Sequence, residues 1–408
     1  MTPTSAVVFR HVAVIDGTGA APAADRWVLV EDGRITAGGP EPLPASHPAA
    51  GDRVTEIDGA GHTLLPGLIN CHVHLCNDGS ADTLGQVRDD AIPIATLRAV
   101  KNLGIALSSG VTTVRDCGAA DGIAIELARA VADRLIAGPR ILAAGRVITM
   151  TGGHGHFIGR EADGPDAVRR ATRTELKAGA DFIKAMATGG VLTPGVEPDH
   201  GGLAEDELLW VARTAHSAGR RTACHAIGGQ GIKNALRAGI DSIEHGFHLD
   251  DEALELAVSS GAFLVPTLVA IESITANAGR PELPDWVVRK AAAESGAHRA
   301  AFAAALAAGV SIAAGTDAGT PFNPHGDLAR ELGLMVDYGM TPLQAIVAAT
   351  ASAARNLDLQ HQVGTVEAGK RADLILVAGD PAADIKRLGQ VTLVMKDGQL
   401  VHDTRIDP

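Results

Sequence analysis

Between residues 63 and 361 the sequence alternates short apolar runs with longer helical stretches, and few folds accept that alternation. The runs fall at 65–74, 110–117, 140–149, 181–188, 221–227, 241–245, 263–268 and 311–317. Strands that are apolar almost throughout and separated by helices belong to parallel sheets covered on both faces. Eight in succession predict an α/β chain built as a (β/α)8 TIM barrel. The helical stretches carry their own punctuation. Glu205, Asp206 and Glu207 place acids in a first turn, and Gly219, Gly239 and Gly309 stop apolar-periodic helices.

The flanking segments read differently. Residues 6–15 and 27–36 are β-rich and punctuated by Asp16-Gly17 and Asp32-Gly33, the second a hairpin signal. Residues 372–377 and 391–401 repeat the pattern around Asp397-Gly398. Because the two ends of a domain commonly lie together, residues 1–62 and 362–408 are expected to combine into one small β-sandwich beside the barrel of 63–361.

Charge and composition remove several function classes. The 35 basic and 48 acidic residues give a net charge of −13, and no basic stripe interrupts it, which argues against nucleic-acid and anionic-membrane partners. Residues 1–5 lack a signal peptide's basic segment and apolar core, and no run reaches the length of a membrane span, so a cytoplasmic protein is expected. Four cysteines without a Cys-x-x-Cys pair are too few for a disulfide framework.

A barrel of this kind works at the carboxyl ends of its strands. The connections expected there, 150–165, 189–202 and 318–326, are long and rich in Gly, Pro and His, as pocket walls or lids would be. His72 and His74 alternate along the first strand and share a face, either as half a metal site or as two satisfied core histidines. Lys184 sits inside the fourth strand, where a charge needs compensation from a buried acid or from carboxylation by carbon dioxide, which converts the amine into an oxygen ligand. His225, His245 and Asp317 close the fifth, sixth and eighth strands. Singly each is ordinary; together they converge only if the barrel is right.

These residues, with the runs Pro66-Gly67-Leu68-Ile69-Asn70-Cys71-His72-Val73-His74, Gly110 to Asp116, Phe182-Ile183-Lys184, Ser242 to Gly246, Gly315 to Gly319 and Ala368 to Leu374, resemble the amidohydrolase superfamily over nearly the whole chain. Within it the chain looks like the binuclear branch of Xaa-Pro and Xaa-Arg dipeptidases and N-acyl amino acid amidohydrolases. The resemblance implies two divalent metal ions, zinc in the first instance. His72, His74 and Asp317 would hold one, His225 and His245 the other, with carboxylated Lys184 bridging them. It further implies a metal-bridging hydroxide that attacks an amide carbonyl, with Asp317 as general acid and base.

Two departures bear on substrate. Asn70 stands where an aspartate is common before the His-x-His pair, and Ile227 stands where the dipeptidases often carry a tyrosine. Ile227 supplies no hydroxyl, so His154 becomes the main candidate for gripping a substrate carbonyl or carboxylate, with His156 and His325 behind it. Val191, Leu192 and Ile227 make the expected pocket apolar. The substrate expected is therefore a small hydrophobic N-acyl amino acid, dipeptide or xenobiotic amide. The alternatives are a mononuclear deaminase, against which Lys184 argues, an ester, lactone or organophosphate hydrolase of the same superfamily, and a non-catalytic scaffold, against which the six-ligand set argues. Relatives are often oligomeric, which leaves a homo-oligomer open.

Overall fold

A computed structural model describes residues 6–44 and 54–405. Residues 1–5, 45–53 and 406–408, including the segment read for a signal peptide and parts of the terminal domain, lie outside the described residues. The chain is α/β, with one large sheet assembled from both ends and two parallel sheets between them.

Strands β1 (Ala6–Val14), β2 (Ala23–Glu31), β3 (Arg34–Pro40), β4 (Val54–Asp58) and β5 (His62–Pro66) come first. The β2–β3 hairpin turns on Asp32 and Gly33, both at positive φ (50° and 78°), as its Asp-Gly pair predicts. Next come the parallel strands β6 (Leu68–Val73), β7 (Val111–Asp116) and β8 (Arg140–Ala143), followed by β9 (Val147–Thr149), β10 (Gly159–Glu161), β11 (Phe182–Met186), β12 (Arg221–Ala226), β13 (Ser242–His245), β14 (Phe263–Val265) and β15 (Ser311–Ile312). The chain closes with β16 (Leu374–Ala378), β17 (Val391–Lys396) and β18 (Gln399–Asp403).

The terminal strands pair in the order β18-β17-β16-β5-β1-β2-β3, with β4 also on β1. Their apolar residues, among them Phe9, Val28, Leu64, Leu374 and Leu393, share one buried cluster. The first apolar run therefore divides: β5 belongs to the terminal sheet, and only after Gly67 does the chain enter the parallel sheet as β6. A Cβ at Gly67 would lie 2.2 Å from the Thr112 hydroxyl, so glycine is what lets the crossover pass β7. The 140–149 run divides as well, because Gly145 adopts φ 71° between β8 and β9.

Two parallel sheets follow, β6-β7-β8 and β10-β9-β11-β12-β13-β14-β15. Single hydrogen bonds connect their margins. Asp181 N donates to Ala143 O (2.8 Å), Cys71 N to Ala314 O (2.9 Å), Asp317 N to His72 O (2.8 Å) and His74 N to Ala318 O (2.8 Å). Helices including Glu205–Ser217 and Gly229–Arg237 pack their apolar faces on these strands, and Ile183, Leu208, Cys224 and Ile232 belong to the same core. Burial of such faces, at about 25 cal/mol per Å² of apolar surface, is the main force holding strand ends in place. No helix among the described residues is long and apolar enough to cross a membrane.

Candidate active site

The ends of β6, β12 and β13, with Lys184 from the middle of β11 and Asp317 from the segment after β15, meet at the floor of one cavity. His72, His74, Lys184, His225, His245 and Asp317 all line it. Adjacent imidazoles lie close: ring centroids are 5.5 Å apart for His72–His74, 5.1 Å for His72–His245 and 4.6 Å for His225–His245.

What each imidazole does with its ring proton defines the site. His72 Nδ1 donates to Glu244 Oε2 (2.7 Å), His74 Nδ1 to Gly118 O (3.0 Å) and His225 Nε2 to Gly189 O (2.7 Å). The Thr267 hydroxyl gives its only proton to Pro266 O, so it accepts from His245 Nδ1 (2.8 Å). Every ring thereby keeps one nitrogen as a bare lone pair. Burial, reinforced by Lys184, pushes His72 down to about 4 and His225 to about 3, which holds both in the neutral form that coordinates cations.

The lone pairs left over converge. His72 Nε2 and His74 Nε2 lie 3.3 and 3.2 Å from Asp317 Oδ1. Burial would raise the Asp317 carboxyl, but His72 and His74 hold it down at about 2, so it is an anion. Burial lowers His74 too, yet the nearby Asp317 carboxylate prevails and leaves its affinity for a proton, or for another cation at Nε2, raised. Two imidazole lone pairs within 3.3 Å of one carboxylate oxygen thus draw a positive charge between them, and the three ligand atoms, all within 4.8 Å of one another, form a group compact enough for a metal ion. His72, Cys117 and Glu244 form a second such group. In that group the Glu244 oxygens already take Arg115, Ser242 and His72, and burial pushes the Cys117 thiol up to about 12, so it reads as support.

Lys184 is 1% exposed, and its Nζ has no hydrogen-bond partner among the described residues. An orphaned amine beside four imidazoles is costly unless something is bound to it.

In the layer beneath, the sequence pointed to Asn70 but assigned no role to Arg115 or Glu244. Arg115 and Glu244 are fully buried, and the guanidinium donates to Glu244 Oε1 (2.6 Å), Ser242 Oγ (3.0 Å) and Cys71 O (2.6 Å). Burial would raise Glu244, but Arg115 and Lys184 keep it ionised, ready to orient His72. Asn70 ties β6 to the segment carrying Asp317: its Oδ1 accepts from His72 N (3.2 Å) and Thr316 N (3.1 Å), and its Nδ2 donates to Thr316 Oγ1 (2.8 Å). A charged residue inside an apolar strand, as at Arg115 and Glu244, was the available signal.

The expected wall residues divide. His154 lines the cavity, its ring 4.3 Å from that of His225 and its Nδ1 2.7 Å from Thr193 Oγ1. A Cβ at Gly190 would fall 2.4 Å from this ring, so only glycine lets the 189–202 loop lie on it. Val191, Leu192 and Ile227 also line the cavity, in one apolar cluster with Phe247, Ile271 and Ile274. His156 does not: Gly155 turns the chain at φ 69°, leaving His156 exposed with Nδ1 on Gly153 O (3.0 Å). His325 is buried one residue behind the wall, its Nε2 on Asn77 O (2.8 Å). The described lining contains neither. The segment 83–95 also forms a wall, through Val87, Asp90 and Ile92, and nothing in its pattern foretold that.

The amidohydrolase family profile matches residues 63–401. Ochratoxinase from Aspergillus niger is 32% identical over 379 residues, covering 85% of this chain and 77% of that protein. Among solved structures, a Xaa-Pro dipeptidase with methionine bound in its active site is 33% identical with a TM-score of 0.89, over 98% of this chain and all of the other. A prolidase complexed with N-methylphosphonate-L-proline is 30% identical with a TM-score of 0.90, over 98% and 100%.

Proposed function

The chain belongs to the amidohydrolase family, and on that premise we propose that it is a binuclear metal-dependent hydrolase cleaving the amide bond of a small hydrophobic substrate. The observation carrying this reading is the set of bare lone pairs from His72, His74 and Asp317 beside the orphaned Lys184 amine. The same proposal takes the two parallel sheets as a closed (β/α)8 barrel and the terminal sheet as a β-sandwich. It also takes the location as cytoplasmic and the partner as a small molecule.

His72, His74 and Asp317 would hold one divalent ion, zinc in the first instance, and His225 and His245 the other. Lys184 would bridge them after its amine adds carbon dioxide and loses a proton, becoming a carbamate. The chemistry supplied by two such ions is acidification of water toward neutrality and polarisation of a carbonyl.

The protein's own groups do the rest. Asp317, an anion at neutral pH, takes the water's proton and delivers it to the leaving nitrogen. We take the Thr193 hydroxyl, 2.7 Å from Nδ1, as donor to His154, so that His154 carries its proton on Nε2 and donates to the substrate carbonyl oxygen. Glu244 and Arg115 hold His72 in one tautomer. The apolar cluster around Ile227 and Phe247 receives the side chain of the substrate and excludes water.

Metal analysis together with Lys184→Ala tests the proposal. Wild-type protein should carry about two divalent ions per chain, and the variant should lose ions and amide hydrolysis together. A metal-free active protein, or a Lys184→Ala variant with unchanged turnover and metal content, refutes it. The relatives named for ochratoxinase and dipeptidase activity make N-acyl amino acids, dipeptides and aryl amides the first panel to try.

A further inference from the structure

Apart from Lys184 at the floor, the lysine and arginine side chains near the cavity among the described residues are committed to protein partners. Among the described residues lining it, Lys184 is the only lysine or arginine, and it lies at the floor among the imidazoles. Lys290, 2% exposed, reaches the back of the wall, but its ammonium donates to Gly190 O, Thr193 O (2.9 Å) and Val196 O (2.7 Å). Asp90 and Asp121 line the cavity, and each is paired with an arginine outside the lining: Asp90 with Arg98, and Asp121 with Arg146 at 2.9 Å. The lining is therefore charge-balanced above its floor.

Uncharged Asn77, Thr83, Gln86, Thr267 and Thr320 belong to the lining as well, and most of what remains is apolar on two sides. Val191, Leu192, Ile227, Phe247, Ile271 and Ile274 form one side. Val87, Ile92, Ala119, Ile123, Phe157 and Ile158 also line the cavity and come from other parts of the chain, the 83–95 wall, the stretch after β7 and the 150–165 loop. A substrate with an amide at the floor has one of these surfaces available to its acyl part and another to its amine part.

Resting on the amide-hydrolase reading above, we propose that the substrate is electrically neutral on both sides of the scissile bond, an amide of an apolar acid with an apolar amine that bears no free carboxylate. A carboxylate on either part would leave water for apolar side chains with no guanidinium or ammonium to replace its hydration. Arginine is the usual recognition group for a carboxylate, and the two arginines near this cavity, Arg98 and Arg146, are spent on aspartates. N-acyl amino acids and dipeptides are thus disfavoured relative to their decarboxylated counterparts.

Matched ligands separate this inference from the reading beneath it. N-benzoyl-L-phenylalanine and N-benzoylphenethylamine differ only by the carboxylate, as do their non-cleavable ketone isosteres, in which a methylene replaces the amide nitrogen. Calorimetric titration of the metal-loaded wild-type protein with the two isosteres measures recognition without turnover. The neutral isostere should bind roughly tenfold tighter or more; equal binding, or tighter binding of the carboxylate, overturns the inference. Hydrolysis of the two amides is then followed separately. Preferential binding of the neutral isostere with no cleavage of either amide leaves the inference standing and overturns the amide-hydrolase reading.

Discussion

Replacing Arg115 by Met should both destabilise the protein and loosen the proposed metal site, by amounts that the buried contacts set. The guanidinium and Glu244 are 3% and 0% exposed, and they meet at 2.6 Å. Methionine keeps most of the apolar stem but removes the donors to Glu244, Ser242 and Cys71 O. It leaves the Glu244 anion with only the Ser242 hydroxyl and His72. Stranding one partner of a buried pair costs about 3–5 kcal/mol. A support of this kind beneath a ligating histidine typically changes metal affinity by about 10–100-fold. Glu244→Gln should show a loss of the same kind, since it strands Arg115. The double variant removes both charges, so it should be at least about 1 kcal/mol more stable than the sum of the single losses. Urea unfolding of chelator-treated proteins gives the stability cycle, and zinc titration gives the affinity. Additive single losses, or unaltered zinc affinity in Glu244→Gln, would refute the account of Glu244 as the group that orients His72.

Three further outcomes follow from the same contacts. Glu331 is buried, accepts from Leu268 N (2.9 Å) and Val269 N (2.7 Å), and is pushed up to about 8 by burial. Between the unfolded value of 4.5 and 8 the folded state binds the extra proton, so stability should fall as pH rises through that window, by at most about 1.4 kcal/mol per pH unit. Glu331→Gln should flatten that slope, and an unchanged slope in thermal unfolding rejects it. Lys290→Met removes the donors holding 190–196 and should cost about 1–3 kcal/mol, while hydrogen exchange at Val191 and Leu192 accelerates; unaltered exchange would show that the loop holds itself. Thr193→Val keeps the shape beside His154 but removes its hydroxyl partner. It should lower kcat/KM roughly fivefold to tenfold with stability changed by about 1 kcal/mol or less, and unaffected turnover would remove His154 from the reaction.

What could be read in advance depended on periodicity. His72 and His74 could be placed on one face because a strand alternates, and His225 and His245 at strand ends because the apolar runs stop there, whereas Asp317 lies beyond the end of β15 at Ile312. The pairing of Arg115 with Glu244 could not be foreseen, since 129 residues separate them and only the packed sheets bring them together. The sequence ranks His154 ahead of His156 as a candidate, and the cavity lining includes the first and not the second, although no spacing rule separates them. Both sit in one Gly-rich loop without a period, and the left-handed turn at Gly155 decides which faces the cavity. The 83–95 wall was missed for the same reason: its apolar residues face a cavity rather than a neighbouring element, so their spacing carries no signature.

The crossover at Gly67 also bears on the order in which the molecule is assembled. β5, the strand leading directly into His72 and His74, pairs along its whole length with β16, Pro66 opposite Leu374, and with β1 at only two positions. Those partners lie roughly 300 residues apart in the chain, and contacts of such separation form late in folding. During synthesis the first histidine pair therefore leaves the ribosome just behind a strand, β5, whose main neighbour has not yet been translated. The strand that leads into the site's earliest residues waits for a partner made near the end of the chain.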